Sequence, residues 1–499
     1  MSIFTIEIEN LNETFIRINT NNPAVYDALS EKFAFEVPGA RFMPSYQDGS
    51  WDGWIRLFHY GDRTIYKGLG KQVVELLKSE DFGKVTFRGF SKKNDITADF
   101  EEVEKFVREN LPSHIDPYDY QIESALEMLH KRRALAISPT SSGKSFIIYL
   151  MTSFIISQLE YDEKILLIVP SITLVDQMYD DFKDYGYQSD AHLILGGTKK
   201  DGPQKLYIST WQSIQKQPAS WFRQFGGVIV DEVHGATAKS LKSSVEKCTN
   251  AVWRYGFTGT LSELETDEIV LRGLFGEITQ VTTYEEMREL GIIPEVDIEM
   301  IRVRYGDRFK TVCKALKGEF QDELAFIQSE EARDEILLAI ARENFDKNGI
   351  FLFKSIKHLQ RIEQLFRRMF NRPIVIINGG VGRDIRAEIR RQIDKDANVG
   401  IRGVILLATY GTMSTGVSIK NLDYGVFAAP MKSKIKVLQS LGRLLRKSDS
   451  KKSARLHDVW DDISEYTKAD NYGKAHAKSR LRFYKEAGFK VIERIHKVE

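Results

Sequence analysis

The stretch Ser138-Pro139-Thr140-Ser141-Ser142-Gly143-Lys144-Ser145 stands between two apolar runs, Ala134 to Ile137 before it and Phe146 to Ile156 after it. A short strand feeding such a segment, and a helix leaving it from about Gly143 to Ile156, is the context of a phosphate-binding loop. Gly143 lets backbone N–H groups close around phosphate oxygens, and Lys144 brings a point charge to the β- and γ-phosphates. The Ser145 hydroxyl is placed to ligate Mg2+ at the helix N-terminus. A nucleoside triphosphate is the expected ligand, with Pro139, Thr140, Ser141 and Ser142 completing the cradle. The usual pattern opens with glycine and this one opens with Ser138, so the loop needs support from elsewhere in the chain.

That support comes from Asp231-Glu232-Val233-His234, which follows the apolar run Val228 to Val230 as the end of a buried parallel strand would. Asp231 at a strand end can hold the Mg2+ that Ser145 also ligates. Glu232 beside it can orient or deprotonate the attacking water. His234 would couple the site to its neighbours.

Further segments follow in a fixed order, and through them the chain resembles the superfamily-two helicases. Tyr120-Gln121, upstream of the loop, resembles that family's adenine-reading segment, which implies ATP as the nucleotide. Val169-Pro170-Ser171 with Gln177 resembles the first nucleic-acid-contacting segment, and Thr210-Trp211-Gln212-Ser213 the next. Thr258-Gly259-Thr260 stands where the family couples ATP to nucleic acid. Ala408-Thr409-Tyr410 through Thr415-Gly416-Val417 resembles the fifth motif, which implies that Thr409, Tyr410 and Thr415 contact the strand and Gly416 the nucleotide. Gln439-Ser-Leu-Gly-Arg-Leu-Leu-Arg446 matches the last motif, whose arginines, here Arg443 and Arg446, are expected on one helical face. The resemblance implies that Gln439, Arg443 and Arg446 reach the γ-phosphate from a second domain and stabilise transition-state charge.

Within that family the whole chain resembles the UvsW-type recombination helicases of T-even-like bacteriophages. Arg41-Phe42-Met43-Pro44 and Gly49-Ser50-Trp51-Asp52-Gly53-Trp54-Ile55-Arg56-Leu57 resemble the aromatic hairpin of their leading domain. Arg254 to Leu261 and Met431 to Leu438 add to the match. The resemblance implies ATP-driven remodelling of branched DNA: fork regression, Holliday-junction migration, R-loop unwinding and annealing. Single-strand-binding or recombination proteins are the implied partners, the chain acting as a monomer in a host cell's cytoplasm. A duplex-DNA translocase or an RNA helicase of the same superfamily is the alternative. A small-molecule kinase would explain Lys144 and Asp231 but not Arg443 and Arg446, and a non-hydrolysing scaffold has no use for Glu232.

At 499 residues, 42% hydrophobic and 28% charged, the chain is ordinary globular protein long enough for about three domains. Cys248 and Cys313 are isolated, which supports neither a disulfide framework nor a zinc cluster and fits a reducing compartment. The acidic start carries no basic leader, and Phe146 to Ile156 is too short to cross a bilayer, so no membrane role is expected. Net charge is +1, yet residues 431–499 hold 18 Lys and Arg against 9 Asp and Glu. That local surplus of nine suits a phosphate-tracking surface and equally a solvated face, Lys478, Arg480, Arg482 and Lys485 being its candidate contacts.

The expected fold class is α/β, with two tandem RecA-like motor domains. The periodicity predicts a small α+β accessory domain over residues 1–110, assigned to DNA binding, and motor domains over 111–292 and 293–448. A short basic helical extension is expected over 449–499. Buried strands are predicted at Ile350 to Phe353, Ile374 to Ile377 and Val404 to Leu407. Trp51 and Trp54, with Arg41 and Arg56, read as core packing ahead of DNA contact. Gly379-Gly380 before Arg383 and Arg386 reads as a strand-to-helix turn ahead of a phosphate contact.

Overall fold

The computed structural model describes residues 4–90, 100–113, 115–234, 239–316, 319–414, 419, 421–444, 446, 451, 453–467 and 470–499. It divides into two compact units, Met1–Ser138 with Gly143–Val281, and Thr282–Glu499 with Pro139–Ser142.

In the first unit seven parallel strands lie in the order Ile278–Gln280, Arg133–Ile137, Trp253–Thr258, Phe225–Asp231, Lys164–Val169, Leu206–Thr210, Ala191–Ile194. Helices cover both faces of such a sheet, so its central strands are apolar without alternation. Phe225–Asp231 and Trp253–Thr258 are buried at every position. The helix Lys144–Gln158 is apolar on nearly all sides, with nine buried side chains between Phe146 and Ile155. Such a helix forms only with partners on several faces, which fixes the loop before it against the sheet.

The leading segment builds its own four-stranded sheet, ordered Thr64–Tyr66, Phe15–Asn19, Thr5–Asn10, Lys84–Arg88. Ile6, Ile8, Ile16 and Ile18 pack with Val25 and Leu29 of the helix Pro23–Lys32 and Val73 and Leu77 of Gly70–Ser79. Their core runs on into that of the motor sheet. Gly68 lies so close to the carbonyls of Arg272 and Gly273 that any side chain there would collide. Lys67 pairs with Glu13 at 2.8 Å, and Arg133 of the central sheet reaches the same carboxylate at 3.0 Å. The accessory segment thus shares one unit with the first motor domain, whose limit falls at Val281.

In the second unit seven parallel strands lie in the order Ile374–Ile377, Ile405–Thr409, Gly349–Phe353, Tyr424–Phe427, Ser453–Asp462, Glu295–Tyr305, Lys490–Val498. The expected helical extension does contain a helix, Tyr472–Glu486, but the strands on either side of it belong inside the sheet. Buried ion pairs make this possible for so charged a strand. Arg333 chelates Asp461 (2.7 and 3.0 Å), and Arg480 chelates Asp458 (2.7 and 2.8 Å). Tyr305 and Tyr484 donate to the same two carboxylates. Arg480 is therefore a buried strut between helix and strand, not a phosphate contact, while Lys478 pairs with Asp470 and Arg482 with Glu486. Among the described residues no helix is long and apolar enough to cross a membrane. Cys248 and Cys313 are both buried and unpaired.

Candidate functional site

The loop leaves the C-terminal end of Arg133–Ile137, and the acidic pair leaves the end of Phe225–Asp231, two strands away in the same sheet. Parallel strands deliver their functional loops to one edge, so residues far apart in sequence meet there. The Lys144 Nζ lies 2.9 Å from Asp231 Oδ1 and 2.5 Å from Glu232 Oε1. Burial alone would pull the Lys144 ammonium down, but Asp231 and then Glu232 outweigh it and hold the group charged. Burial would likewise raise Glu232, yet Lys144 and His234 keep it well below the usual carboxylate range. Asp231 is displaced upward, by burial first, against Lys144 and with Glu232 adding to the rise.

Two backbone positions carry strain. Glu232 has φ 54° and Ser141 φ 75°, left-handed values uncommon for residues with a side chain and concentrated at functional sites. Gly143, at φ 77°, has the Gln121 amide so close that a methyl group would not fit.

A chain of polar contacts leads away from the acidic pair. His234 Nδ1 lies 3.1 Å from Glu232 Oε2 and 3.4 Å from Thr258 Oγ1. Thr258 donates to the Thr260 carbonyl at 2.9 Å, and its own carbonyl accepts from the Ser138 N–H at 2.8 Å. The expected coupling segment is thereby tied to both the acids and the base of the loop. The Ser145 hydroxyl lies 3.0 Å from the Tyr185 hydroxyl. Tyr118 N–H donates to Gln121 Oε1 at 3.0 Å, and the Tyr118 and Tyr120 rings stack at 5.8 Å. Tyr118 and Tyr185 went unnoticed in the sequence; the Tyr118-x-Tyr120 spacing was the available signal for the first.

Mg2+ is bound through one or two carboxylates, phosphate oxygens and water rather than by an all-protein cage. Ser145 and Asp231 supply oxygen donors of that kind beside the lysine that would meet the phosphates, and the donor set fits.

Pro170, Ser171 and Gln177 follow Lys164–Val169, while Thr210, Trp211 and Gln212 follow its neighbour Leu206–Thr210, so the two segments leave the sheet side by side. Gln177 and Gln212 are exposed and Trp211 is half-buried, whereas Thr210 is buried with its hydroxyl 3.0 Å from that of Ser213. Thr210 therefore shapes the turn and does not present its side chain at the surface.

In the second unit Thr409 ends Ile405–Thr409, its hydroxyl 2.8 Å from that of Thr412. Tyr410 does not face a strand of nucleic acid as expected. It is 6% exposed and its hydroxyl donates to the Ala429 carbonyl at 2.8 Å. Thr415 and Gly416 lie outside the described residues. Gln439 and Arg443 share a face of the helix Lys434–Leu444, but the helix ends before Arg446, so the two arginines do not share its surface. Lys451, buried, donates to the carbonyls of Leu444 and Arg446 and so fixes the chain where the helix stops. Nothing local in the sequence singled it out. Arg386 donates to the carbonyls of Asn378 and Gly379 and so braces the turn between Ile374–Ile377 and the helix Arg383–Asn398.

The aromatic hairpin faces outward, against the expectation of a packed core. Phe42 is 71% exposed, and Met43, Tyr46 and Trp54 are each above 40%. Trp51 spends its indole N–H on the Trp54 carbonyl at 2.8 Å, and Arg41 lies 4.8 Å from the Phe42 ring centroid. The core of this segment is instead built by the isoleucines of its sheet, which leaves the aromatics at the surface.

Comparison with known proteins agrees along the chain. A family model described as DNA helicase UvsW, N-terminal, matches residues 6–87, and one described as Type III restriction enzyme, res subunit, matches residues 114–263. The ATP-dependent DNA helicase UvsW of Enterobacteria phage T4 is 34% identical over 490 residues, spanning 96% of this chain and 95% of that protein. The crystal structure of T4 UvsW aligns at 30% identity with a TM-score of 0.50, covering 99% of this chain and 100% of that one. The ATP-dependent Type ISP restriction-modification enzyme LlaBIII bound to DNA shares the fold at 16% identity and TM-score 0.56, over 85% of this chain and 34% of that one.

Proposed function

The chain belongs to the family of the ATP-dependent DNA helicase UvsW, and on that premise we propose that it spends ATP at the Lys144 loop to remodel branched DNA: forks, Holliday junctions and R-loops. The observation that carries the catalytic part is the Lys144 ammonium held between Asp231 and Glu232. A triphosphate in the loop would take over Lys144 as counter-charge and release both carboxylates for their own work. Ser145 and Asp231 would then hold Mg2+, which supplies charge neutralisation at the β- and γ-phosphates. Glu232 would orient the water that attacks the γ-phosphorus and accept its proton, with ADP leaving. His234 and Thr258 would pass the state of that carboxylate to the segments after Lys164–Val169 and Leu206–Thr210. Arg443 and Arg446 would offset charge on the transferring group. Tyr120 and Gln121 would receive the adenine.

The exposed aromatics beside Arg41 and Arg56 support a DNA-binding role for residues 1–110, since bases stack on such faces. The test is ATPase activity of the full chain against single-stranded, duplex, forked and four-way-junction DNA and an RNA–DNA hybrid. Greatest stimulation by forks and junctions, with product strands released, supports the proposal. Greatest stimulation by unbranched duplex, with no strand separation, would replace helicase action by translocation.

A further inference from the structure

The helix Lys144–Gln158 begins at the residues that would meet phosphate and metal, and its first turns also build a slot beside them. Ser145 and Tyr149, four residues apart, share a face of that helix, with Phe146 next to them. The Tyr185 ring fills the slot, its centroid 5.3 Å from that of Phe146 and 5.4 Å from that of Tyr149. Its hydroxyl lies 3.0 Å from the Ser145 hydroxyl.

Tyr185 closes the helix Ile172–Asp184. Its N–H donates to the Asp181 carbonyl at 2.9 Å and the Gly186 N–H to the Lys183 carbonyl at 3.0 Å, so the backbone is fixed where the ring leaves it. Phe182, one turn earlier, packs on Tyr149 at 5.3 Å. Two packed helices therefore hold the two hydroxyls against each other. Packing by itself has no use for the phenol oxygen, since a phenylalanine ring would fill the same slot.

Either hydroxyl can donate in this pair. That freedom ends once Ser145 ligates a cation. A serine hydroxyl has one proton and two lone pairs, and a lone pair turned to Mg2+ leaves the proton in need of an acceptor on the other side. The phenol oxygen is such an acceptor. Its own proton can turn to water, because Tyr185 is half-buried rather than enclosed. Partners of this kind orient metal ligands and carry about 10- to 100-fold in metal affinity.

We propose that Tyr185 is a positioning residue for the metal of the ATP site: it accepts the Ser145 hydroxyl proton and so aims a serine lone pair at Mg2+. It rests on Ser145 as a metal ligand, and it extends that site to a residue outside both the loop and the acidic pair.

The test uses the full chain and a fluorescent, non-hydrolysable ATP analogue, bound first in EDTA and then across a Mg2+ titration. Tyr185→Phe should raise the Mg2+ concentration for half-saturation about tenfold. Analogue affinity in EDTA and the urea midpoint should stay near parental values. Ser145→Ala should raise the half-saturation point too, and adding Tyr185→Phe to it should change nothing more, because the two hydroxyls act as one unit. Tyr179→Phe, which removes a hydroxyl 3.4 Å from Asp190 on the same helix, should leave the Mg2+ dependence alone. Parental Mg2+ dependence in Tyr185→Phe, effects of the two substitutions that multiply, or an equal loss of affinity in EDTA would each overturn the role of Tyr185 while Ser145 keeps its own. Parental Mg2+ dependence in Ser145→Ala would overturn both.

Discussion

The two seven-stranded sheets share an architecture and differ in where they keep their charge. In the first unit Lys144, Asp231 and Glu232 meet at the C-terminal edge of the sheet, where Glu232 holds a strained backbone, while the fully buried Arg254 is held by the carbonyls of Val245, Cys248 and Leu274. In the second the buried ion pairs lie within the structure, where Arg333–Asp461 and Arg480–Asp458 pin helices to a strand. Both arrangements bury ions, but only the first puts them where a ligand can exchange partners with them. A buried pair inside a fold is fixed by the cost of separating it, whereas a buried pair at a strand end can be opened by a better counter-ion. The fold alone is therefore silent about function, and the placement of charge on it is informative.

The contrast can be broken most forcefully at Lys144. Lys144→Ala should abolish ATP hydrolysis while DNA binding without nucleotide survives; ordinary turnover in that variant would remove the catalytic role of the first edge. Next in size is Arg446→Ala, for which steady-state assays on saturating forked DNA should read a fall of about 10³-fold or more with ATP affinity nearly intact. A parental rate there would leave the second unit without a catalytic part.

In the structural pairs the effect should fall on stability instead. Arg480→Ala leaves Asp458 buried and unpaired and should cost about 3–5 kcal/mol by urea unfolding. Replacing both partners with apolar residues of similar size should recover most of that loss. A basal ATPase that fell with Arg480→Ala at full stability would blur the distinction between the two sheets.

The smallest effect concerns pH. His358 is buried, and burial, with Arg333 and Arg361, pushes its imidazole to about 3 from an ordinary 6.5. Between those values the unfolded chain binds a proton that the folded one does not, so stability should fall as pH drops through that window. Asp334 works against this. Burial holds its carboxyl at about 6, above 3.8, so the folded state keeps a proton the unfolded state has lost, and stability gains as pH falls through 6. Urea midpoints across the window should therefore decline gently for the parent chain, and His358→Phe should remove the decline. A decline that persists in His358→Phe would place the titrating group elsewhere.

The loop, the acidic pair and the central strands were legible in the sequence because each depends on neighbours within a few residues. Ala134 to Ile137 and Val228 to Val230 are apolar runs followed at once by the chemistry they present. Ser453–Asp462 was not legible, because its Asp458 and Asp461 are neutralised by Arg480 and Arg333, the latter more than a hundred residues away. Without those partners the segment reads as polar chain. The same blindness made Arg480 look like a surface cation. Tyr410 was misassigned for a related reason, since the Ala429 carbonyl that takes its hydroxyl comes from another strand's loop. The aromatic hairpin failed in the opposite direction, its composition suggesting a core that the isoleucines of the sheet already provide.

The central claim is that Glu232 serves the water and is not merely a counter-charge for Lys144. Glu232→Gln tests it, with ATP affinity measured by equilibrium binding and hydrolysis by single turnover on forked DNA. ATP should bind at close to parental affinity and hydrolysis should stall, because Asp231 remains for the metal and the lysine is taken up by phosphate. Collapse of ATP affinity together with turnover, or hydrolysis at the parental rate, would contradict it.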